Sequence, residues 1–97
     1  MTNLTVYYIL NLDNEYIYHA TNESEFIESA LRYFKTELFE TVENYKTYVL
    51  NQDEYLEEME RFINIRKKIK ECENIAQLKY IATSLDFKIK IKTIDLD

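Results

Sequence analysis

Apolar residues run almost continuously through the first strand-like stretch of the chain, Leu4–Leu12. β-branched and aromatic side chains dominate this stretch, which favours a strand over a helix. Side chains alternate between the faces of a strand, so every second residue from Leu4 shares one face while Tyr7 and Ile9 lie on the other. Because a strand that is apolar on both faces is usually central in its sheet, we predict that this strand has a neighbour on each side.

The residues after this strand predict a tight hairpin. Polar residues 13–15 separate the first strand from a second β-like stretch that ends at Ala20. Asparagine tolerates the left-handed backbone conformation that such turns need. Since the chain contains no glycine, Asn14 is the candidate for a positive φ. Leu4–Leu12 and Glu15–Ala20 are therefore predicted to pair as a β-hairpin.

Three Asn-x-x-Glu/Gln sequences each precede apolar residues spaced three or four apart, which is the pattern of a capped amphipathic helix. The first predicts one long helix over Glu23–Leu50, in which a break near residues 36–44 stays open because Thr and Asn there are weak helix formers. The second predicts a helix from residue 53 to Glu71, and the third a short helix through Leu85. The three pairs are Asn22–Glu25, Asn51–Glu54 and Asn74–Gln77. The apolar stripe of the second helix consists of Tyr55, Met59, Phe62, Ile63 and Ile69.

The C-terminal tail alternates between apolar residues and lysines, which predicts a half-buried third strand over Asp86–Ile91. Its apolar face carries Phe87, Ile89 and Ile91, and its polar face carries Lys88, Lys90 and Lys92. The alternation slips at Thr93, because Ile94 and Leu96 fall on the lysine face. We therefore expect either a bulge at Lys92–Thr93 or the end of the strand there.

These elements predict a single α+β domain over residues 1–97. The order ββαααβ gives a three-stranded antiparallel sheet with the helices packed on one face. A chain of 97 residues is of single-domain size. Three strands cannot enclose a core alone, so the helix stripes are expected to supply its other half.

The amino-acid composition excludes several kinds of functional site. Without glycine the chain cannot form a phosphate-binding glycine loop, and one Cys and one His exclude a disulfide framework or a Cys/His zinc site. His19 is expected to face away from Tyr16 and Tyr18 with no second base, and Cys72 lies between acids that raise a thiol pKa. We therefore expect no enzyme, no cofactor and no metal.

No part of the chain has the pattern of a membrane or export segment. A membrane span needs about 18 consecutive apolar residues, and no run in the sequence approaches that length. The first residues also lack the pattern of a signal peptide. We therefore expect a cytoplasmic protein without a membrane partner.

Charge is divided unevenly along the chain, whose net charge is −6. Residues 23–60 contain eleven acids and three bases, a net charge of −8, whereas residues 61–97 carry +4. Acids early in a helix and bases late in it complement the helix dipole, which explains part of the division. The functional interpretation is an acidic surface that binds a basic partner. Its densest part predicts the partner-binding residues Asp53, Glu54, Tyr55, Glu57 and Glu58, with the tyrosine as an anchor.

The chain resembles the small acidic proteins that phages encode against host defence, of the anti-CRISPR type. The resemblance covers the whole chain and lies in its size, its acidic charge, its Asn/Lys/Ile/Tyr-rich composition and its lack of catalytic groups. Several members of that class occupy the nucleic-acid or PAM-reading channel of a nuclease. The resemblance thus implies a non-enzymatic inhibitor whose acidic helical surface blocks a basic nucleic-acid-binding site, for example on a CRISPR-Cas nuclease.

Two alternatives remain open. The C-terminal lysines are also compatible with a nucleic-acid-binding module, although the net charge predicts no strong binding of duplex at physiological salt. The nine tyrosines suit interfaces as well as cores. They are compatible with a homodimer, as in an antitoxin or immunity-type interaction protein.

Overall fold

A computed structural model describes residues 2–48 and 52–96, and it confirms the predicted ββαααβ order. The elements are β1 (Asn3–Asn11), β2 (Tyr16–Ala20), α1 (Glu23–Tyr48), α2 (Gln52–Glu71), α3 (Ile75–Ser84) and β3 (Phe87–Asp95). The three strands form one antiparallel sheet in the order β2-β1-β3. β1 is therefore the central strand, as its two apolar faces predicted.

The hairpin between β1 and β2 turns at Asn14, whose φ of 62° is the predicted positive value. The Asn11 side chain stabilises the turn, because its Oδ1 accepts hydrogen bonds from the backbone N–H groups of Asp13 at 3.0 Å and Glu15 at 2.9 Å. A second positive φ, 66° at Asp86, lies just beyond the C-cap of α3. Helix ends favour glycine at such a position; in a chain without glycine an aspartate fills it.

A bulge in β2 changes which residues share a face. Ile9 pairs with Tyr18 but Leu10 pairs with Tyr16, so Ile17 is the extra residue. The Tyr16 hydroxyl consequently reaches His19 Nδ1 and the two form a hydrogen bond. The expectation that His19 faces away from Tyr16 was wrong, because simple alternation does not include the bulge.

β3 pairs with β1 without interruption from Asn11↔Phe87 to Asn3↔Asp95. The predicted bulge or strand end at Lys92–Thr93 was therefore wrong. The physical reason is a direct cross-strand pair, Leu4↔Ile94, which accommodates an apolar residue on the lysine face. Such pairs stabilise a sheet locally, so the change of pattern needs no change of register.

The helices begin where the asparagine caps predicted. Asn22 Oδ1 accepts a hydrogen bond from the Glu25 N–H at 3.0 Å, and Asn74 Oδ1 accepts one from the Gln77 N–H at 2.9 Å. The predicted cap Asn51 lies outside the described residues, as do the last two residues of the predicted first helix. α1 shows no break near residues 36–44. Its threonines are tolerated because their hydroxyls donate to carbonyls one turn earlier, for example Thr41 to Glu37 at 2.8 Å.

The core lies between one face of the sheet and the three helices. α1 contributes a row of buried residues with four-residue spacing, to which the sheet and the other two helices add their buried side chains. Tyr7 and Tyr18 stack over Phe26 with ring centroids at 5.5 and 6.2 Å. Phe34 lies 5.6 Å from the Phe87 ring. The row consists of Phe26, Ala30, Phe34 and Leu38.

The molecule is elongated, with extents of 58 × 27 × 16 Å and a radius of gyration of 15.8 Å. A compact domain of this length has a radius of about 12.5 Å. The difference arises because α2, among the described elements, contacts α1 and α3 but not the sheet. We call residues 36–48 and 52–63, the end of α1 and the first part of α2, the helical arm.

We predict that Phe34→Ala lowers the free energy of unfolding by about 3–5 kcal/mol, because it leaves a cavity at the centre of the core. Phe39→Ala removes the same atoms from a side chain that is 65% exposed rather than 0%, so it should stay within about 0.5 kcal/mol of wild type. Urea unfolding followed by circular dichroism measures both. Similar losses in the two variants would contradict the described packing of α1.

Candidate partner-binding surfaces

The helical arm carries the net charge of the whole chain. Residues 36–63 contain eight carboxylates and two bases, a net charge of −6, while acids and bases are equal in number over the rest of the chain. Most of these carboxylates are exposed. The acidic character predicted for the middle of the sequence is thus concentrated at one end of the molecule.

The structure brings the five predicted partner-binding residues together in the first two turns of α2. Asp53, Glu54 and Glu57 are exposed, while Tyr55 and Glu58 are half-buried. Glu58 Oε2 accepts a hydrogen bond from Arg61 Nη1 at 3.3 Å. Part of the predicted negative surface is therefore neutralised within the helix.

The carboxylates of α2 also act on α1. The pKa of the Tyr45 hydroxyl is raised, first by desolvation and then by the negative charges of Glu58, Glu54 and Glu57. The Tyr45 ring meets the Phe62 ring edge-on, with centroids 6.0 Å apart. The carboxylates of α2 therefore lie close enough to α1 to act on Tyr45.

An exposed apolar strip lies on the same arm. Phe39 is 65% exposed, Leu56 55% and Ile63 66%, and with half-buried Val42 and Met59 they follow neighbouring faces of α1 and α2. A groove of ≈ 380 Å³ runs along this strip. The residues that line it are Lys35, Leu38, Phe39, Val42, Met59, Phe62, Ile63 and Arg66.

The sequence pattern did not reveal this strip and assigned Ile63 to the buried stripe of α2. That assignment was wrong, because α2 packs through Phe62, Ile65 and Ile69 and turns Ile63 to solvent. The available signal was the presence of Phe39 and Leu56, which are large apolar residues outside the predicted stripes.

The face of the sheet opposite the core forms a second surface, which we call the outer face. Tyr8 occupies its centre and is paired across the strands with His19 on one side and Lys90 on the other. The Tyr8 and His19 rings are 6.3 Å apart, and Tyr16 lies 5.4 Å beyond His19. The outer face consists of Leu4, Val6, Tyr8, Leu10, Tyr16, His19, Lys88, Lys90, Lys92 and Ile94.

The titratable and nucleophilic side chains of the described residues include His19 and one free cysteine, Cys72. Over residues 2–48 and 52–96 no group of three or more His, Cys, Asp or Glu side chains is placed to hold a metal ion. The pKa of the Cys72 thiol is raised mainly by burial, with a hydrogen bond to the Asn74 backbone lowering it and Glu73 raising it further. The prediction that the chain is not an enzyme stays a prediction.

Comparison with known proteins gives no relative for this chain. No protein-family model, curated protein or solved structure matched it. Among the helices that the structure describes, none combines the length and apolarity needed to cross a membrane.

Lys68 and Tyr80 form a contact between α2 and α3. The Lys68 Nζ lies 3.9 Å from the centroid of the Tyr80 ring. Lys68 lowers the pKa of the Tyr80 hydroxyl, first through a side-chain hydrogen bond and then through its positive charge. The contact borders a groove lined by Glu71, Gln77 and Ile81.

We predict that the Tyr80 hydroxyl titrates below the ordinary tyrosine value of about 10, and that Lys68→Met raises its pKa. Lys67→Met removes the same charge from the neighbouring position and should leave the Tyr80 pKa unchanged. NMR titration of ¹³C-labelled tyrosine ring carbons measures each hydroxyl separately. Equal effects of the two substitutions would show that Lys68 has no specific contact with Tyr80.

Proposed function

We propose that this chain is a non-enzymatic binding protein that covers a basic surface of a protein partner with its helical arm and thereby blocks that surface. The partner class that fits best is a nucleic-acid-handling enzyme, such as a CRISPR-Cas nuclease. The observation that supports the proposal most directly is the coincidence, on one arm, of an exposed apolar strip and a net charge of −6.

Charge alone supports the proposal only weakly. Asp53 and Glu54 lie in the first turn of α2, where carboxylates stabilise any helix through its dipole. That effect falls off within the first turn, so it does not explain Glu57 or Glu60. Stability of the helix therefore accounts for part of the acidic cluster but not for its full length.

The apolar strip is the feature that helix stability does not explain. Single exposed apolar residues are ordinary, but contiguous exposed apolar groups bordered by polar residues are typical of interaction sites. Phe39, Leu56 and Ile63 have this arrangement. Lys35 and Arg66 line the groove next to Phe39 and Ile63, and carboxylates precede and follow Leu56 along α2. In such an interface buried apolar anchors contribute most of the affinity, while charge steers the encounter and selects the partner.

The nature of the partner follows from charge complementarity. A surface that complements a charge of −6 has to be strongly basic, and proteins that bind nucleic acid carry such surfaces for contact with phosphates. CRISPR nucleases hold the guide–target duplex in a positively charged channel. An acidic arm seated in that channel would exclude the nucleic acid by occupying its place.

A homodimer formed through the arm is less favourable. A two-fold interface places the same surface of each copy against the other, so two arms with a charge of −6 each would repel at close distance. Sedimentation velocity distinguishes a monomer from such a homodimer, and the proposal expects a monomer in the absence of the partner.

We predict that the triple variant Glu54→Lys, Glu57→Lys, Glu58→Lys keeps its fold but loses about 100-fold in affinity for the partner, or about 2.8 kcal/mol. The matched control is Glu23→Lys, Glu25→Lys, Glu28→Lys, which makes the same charge change at exposed positions of α1 next to the sheet. The control should bind within about threefold of wild type, because long-range attraction is screened beyond about 8 Å at physiological salt.

The measurement uses a panel of purified, guide-loaded CRISPR-Cas nucleases on a biosensor, together with cleavage of target nucleic acid. Circular dichroism checks the fold of each variant. The proposal expects that the wild-type protein binds a nuclease and inhibits its cleavage of the target. It also expects that the affinity falls as the salt concentration rises. Absence of binding across the panel would contradict the nuclease as partner. Equal binding by the arm variant and wild type would contradict the arm as the interface.

A further inference from the structure

We propose that the outer face of the sheet binds single-stranded nucleic acid, in a site separate from the helical arm. The helices cover only the opposite face, which carries Ile9, Ala20 and the other strand members of the core. The outer face therefore presents aromatic rings on β1 and β2 and lysines on β3, together with half-buried aliphatic residues and the buried Val6. The inference does not depend on the proposed function.

The aromatic part of the surface is assembled by the bulge in β2. Without the bulge, regular alternation would place Tyr16 on the core side with Tyr18, away from His19. With it, the rings of Tyr8, His19 and Tyr16 are neighbours, at centroid separations of 6.3 and 5.4 Å. Tyr16 is 56% exposed. Unpaired bases stack on exposed aromatic rings of this kind, including rings on open sheets.

The basic part of the surface lies directly beside these rings. Lys88, Lys90 and Lys92 occupy alternate positions of β3, so they repeat about every 6.8 Å along the strand. Lys90 is the direct cross-strand neighbour of Tyr8, and Lys88 Nζ donates a hydrogen bond to Asn14 Oδ1 at 3.2 Å. The described strand positions of the outer face include no carboxylate, since alternation places Asp95 on the other face.

Charge and shape together select the ligand. Three lysines in a row on a protein of net charge −6 attract a polyanion to this face rather than to the arm. The adjacent aromatic rings favour a polyanion with exposed nucleobases, because nucleobases stack on aromatic side chains. A duplex keeps its bases stacked inside, whereas a single strand exposes them, so a single strand of DNA or RNA satisfies both parts of the surface.

Protection of the sheet edge explains only part of the surface. Lysines on an edge strand prevent it from pairing with other chains, but this does not explain three rings beside them. A second copy packed face to face would set the two rows of lysines against each other, which is unfavourable. The acidic arm of a second copy has complementary charge, and a measurement of self-association distinguishes that case.

The direct test measures binding of fluorescein-labelled 20-nucleotide oligo-dT and oligo-U by fluorescence anisotropy. Three lysine–phosphate contacts predict a slope of about −2 in log affinity against log salt for a single strand. Affinity should therefore fall about 20-fold between 50 and 200 mM salt. A 20-base-pair duplex without single-stranded ends should bind at least tenfold more weakly than either oligonucleotide.

Two sets of variants separate charge from stacking. Lys88→Gln, Lys90→Gln, Lys92→Gln should lower affinity at least 20-fold at 50 mM salt, while Lys67→Gln, Lys68→Gln, Lys70→Gln on α2 makes the same charge change and should cost less than threefold. Tyr16→Ala should lower affinity about tenfold and leave the salt slope unchanged. If the triple outer-face variant does not fold, Lys90→Gln alone should still lower affinity about threefold.

Three results would overturn the proposal. The first is no oligonucleotide binding by wild type at 50 mM salt. The second is an equal loss of affinity in the two lysine variants, which would show that the oligonucleotide is attracted to any basic residue on the protein surface. The third is concentration-dependent self-association that the outer-face lysine variant abolishes, which would assign the face to the arm of a second copy. None of them depends on whether the arm binds a nuclease.

Discussion

The packing of a single row of side chains on α1 determines the arrangement of everything else. Phe26, Ala30, Phe34 and Leu38 lie one turn apart, so they form a nearly straight ridge. The sheet lies on this ridge through Tyr7, Tyr18 and Phe87, and α2 and α3 pack along its sides. The sheet and the arm are therefore both attached to one unbroken helix.

The length of α1 explains why the molecule has two ends with different chemistry. Its 26 residues span about 39 Å, whereas the nine residues of the longest strands, β1 and β3, span about 31 Å. The helix therefore extends past the sheet, and its far end has only α2 beside it among the described elements. Burial decreases along this extension, which leaves apolar residues such as Phe39 exposed among carboxylates.

Local signals predicted most of the fold, since caps, turns and periodicity each depend on a few neighbouring residues. Asn22, Asn74 and Asn14 are examples in which one side chain determines where an element starts or turns. The wrong predictions concern features that are determined by a neighbouring helix or strand rather than by the local sequence. The bulge at Ile17, the continuous register of β3 and the exposure of Ile63 depend on what each segment packs against. The acidic cluster was visible in sequence, but the apolar strip and the outer face required tertiary structure.

The separation of charge along a molecule 58 Å long has an effect on how its two ends behave in solution. Mobile ions reduce the reach of a charge to about 8 Å at physiological ionic strength, far less than this length. A ligand near the sheet therefore experiences the local lysines and almost nothing of the arm. The net charge of −6 therefore describes the arm but not the outer face of the sheet. The protein is acidic on average, yet the outer face of its sheet presents a row of three lysines to whatever approaches it.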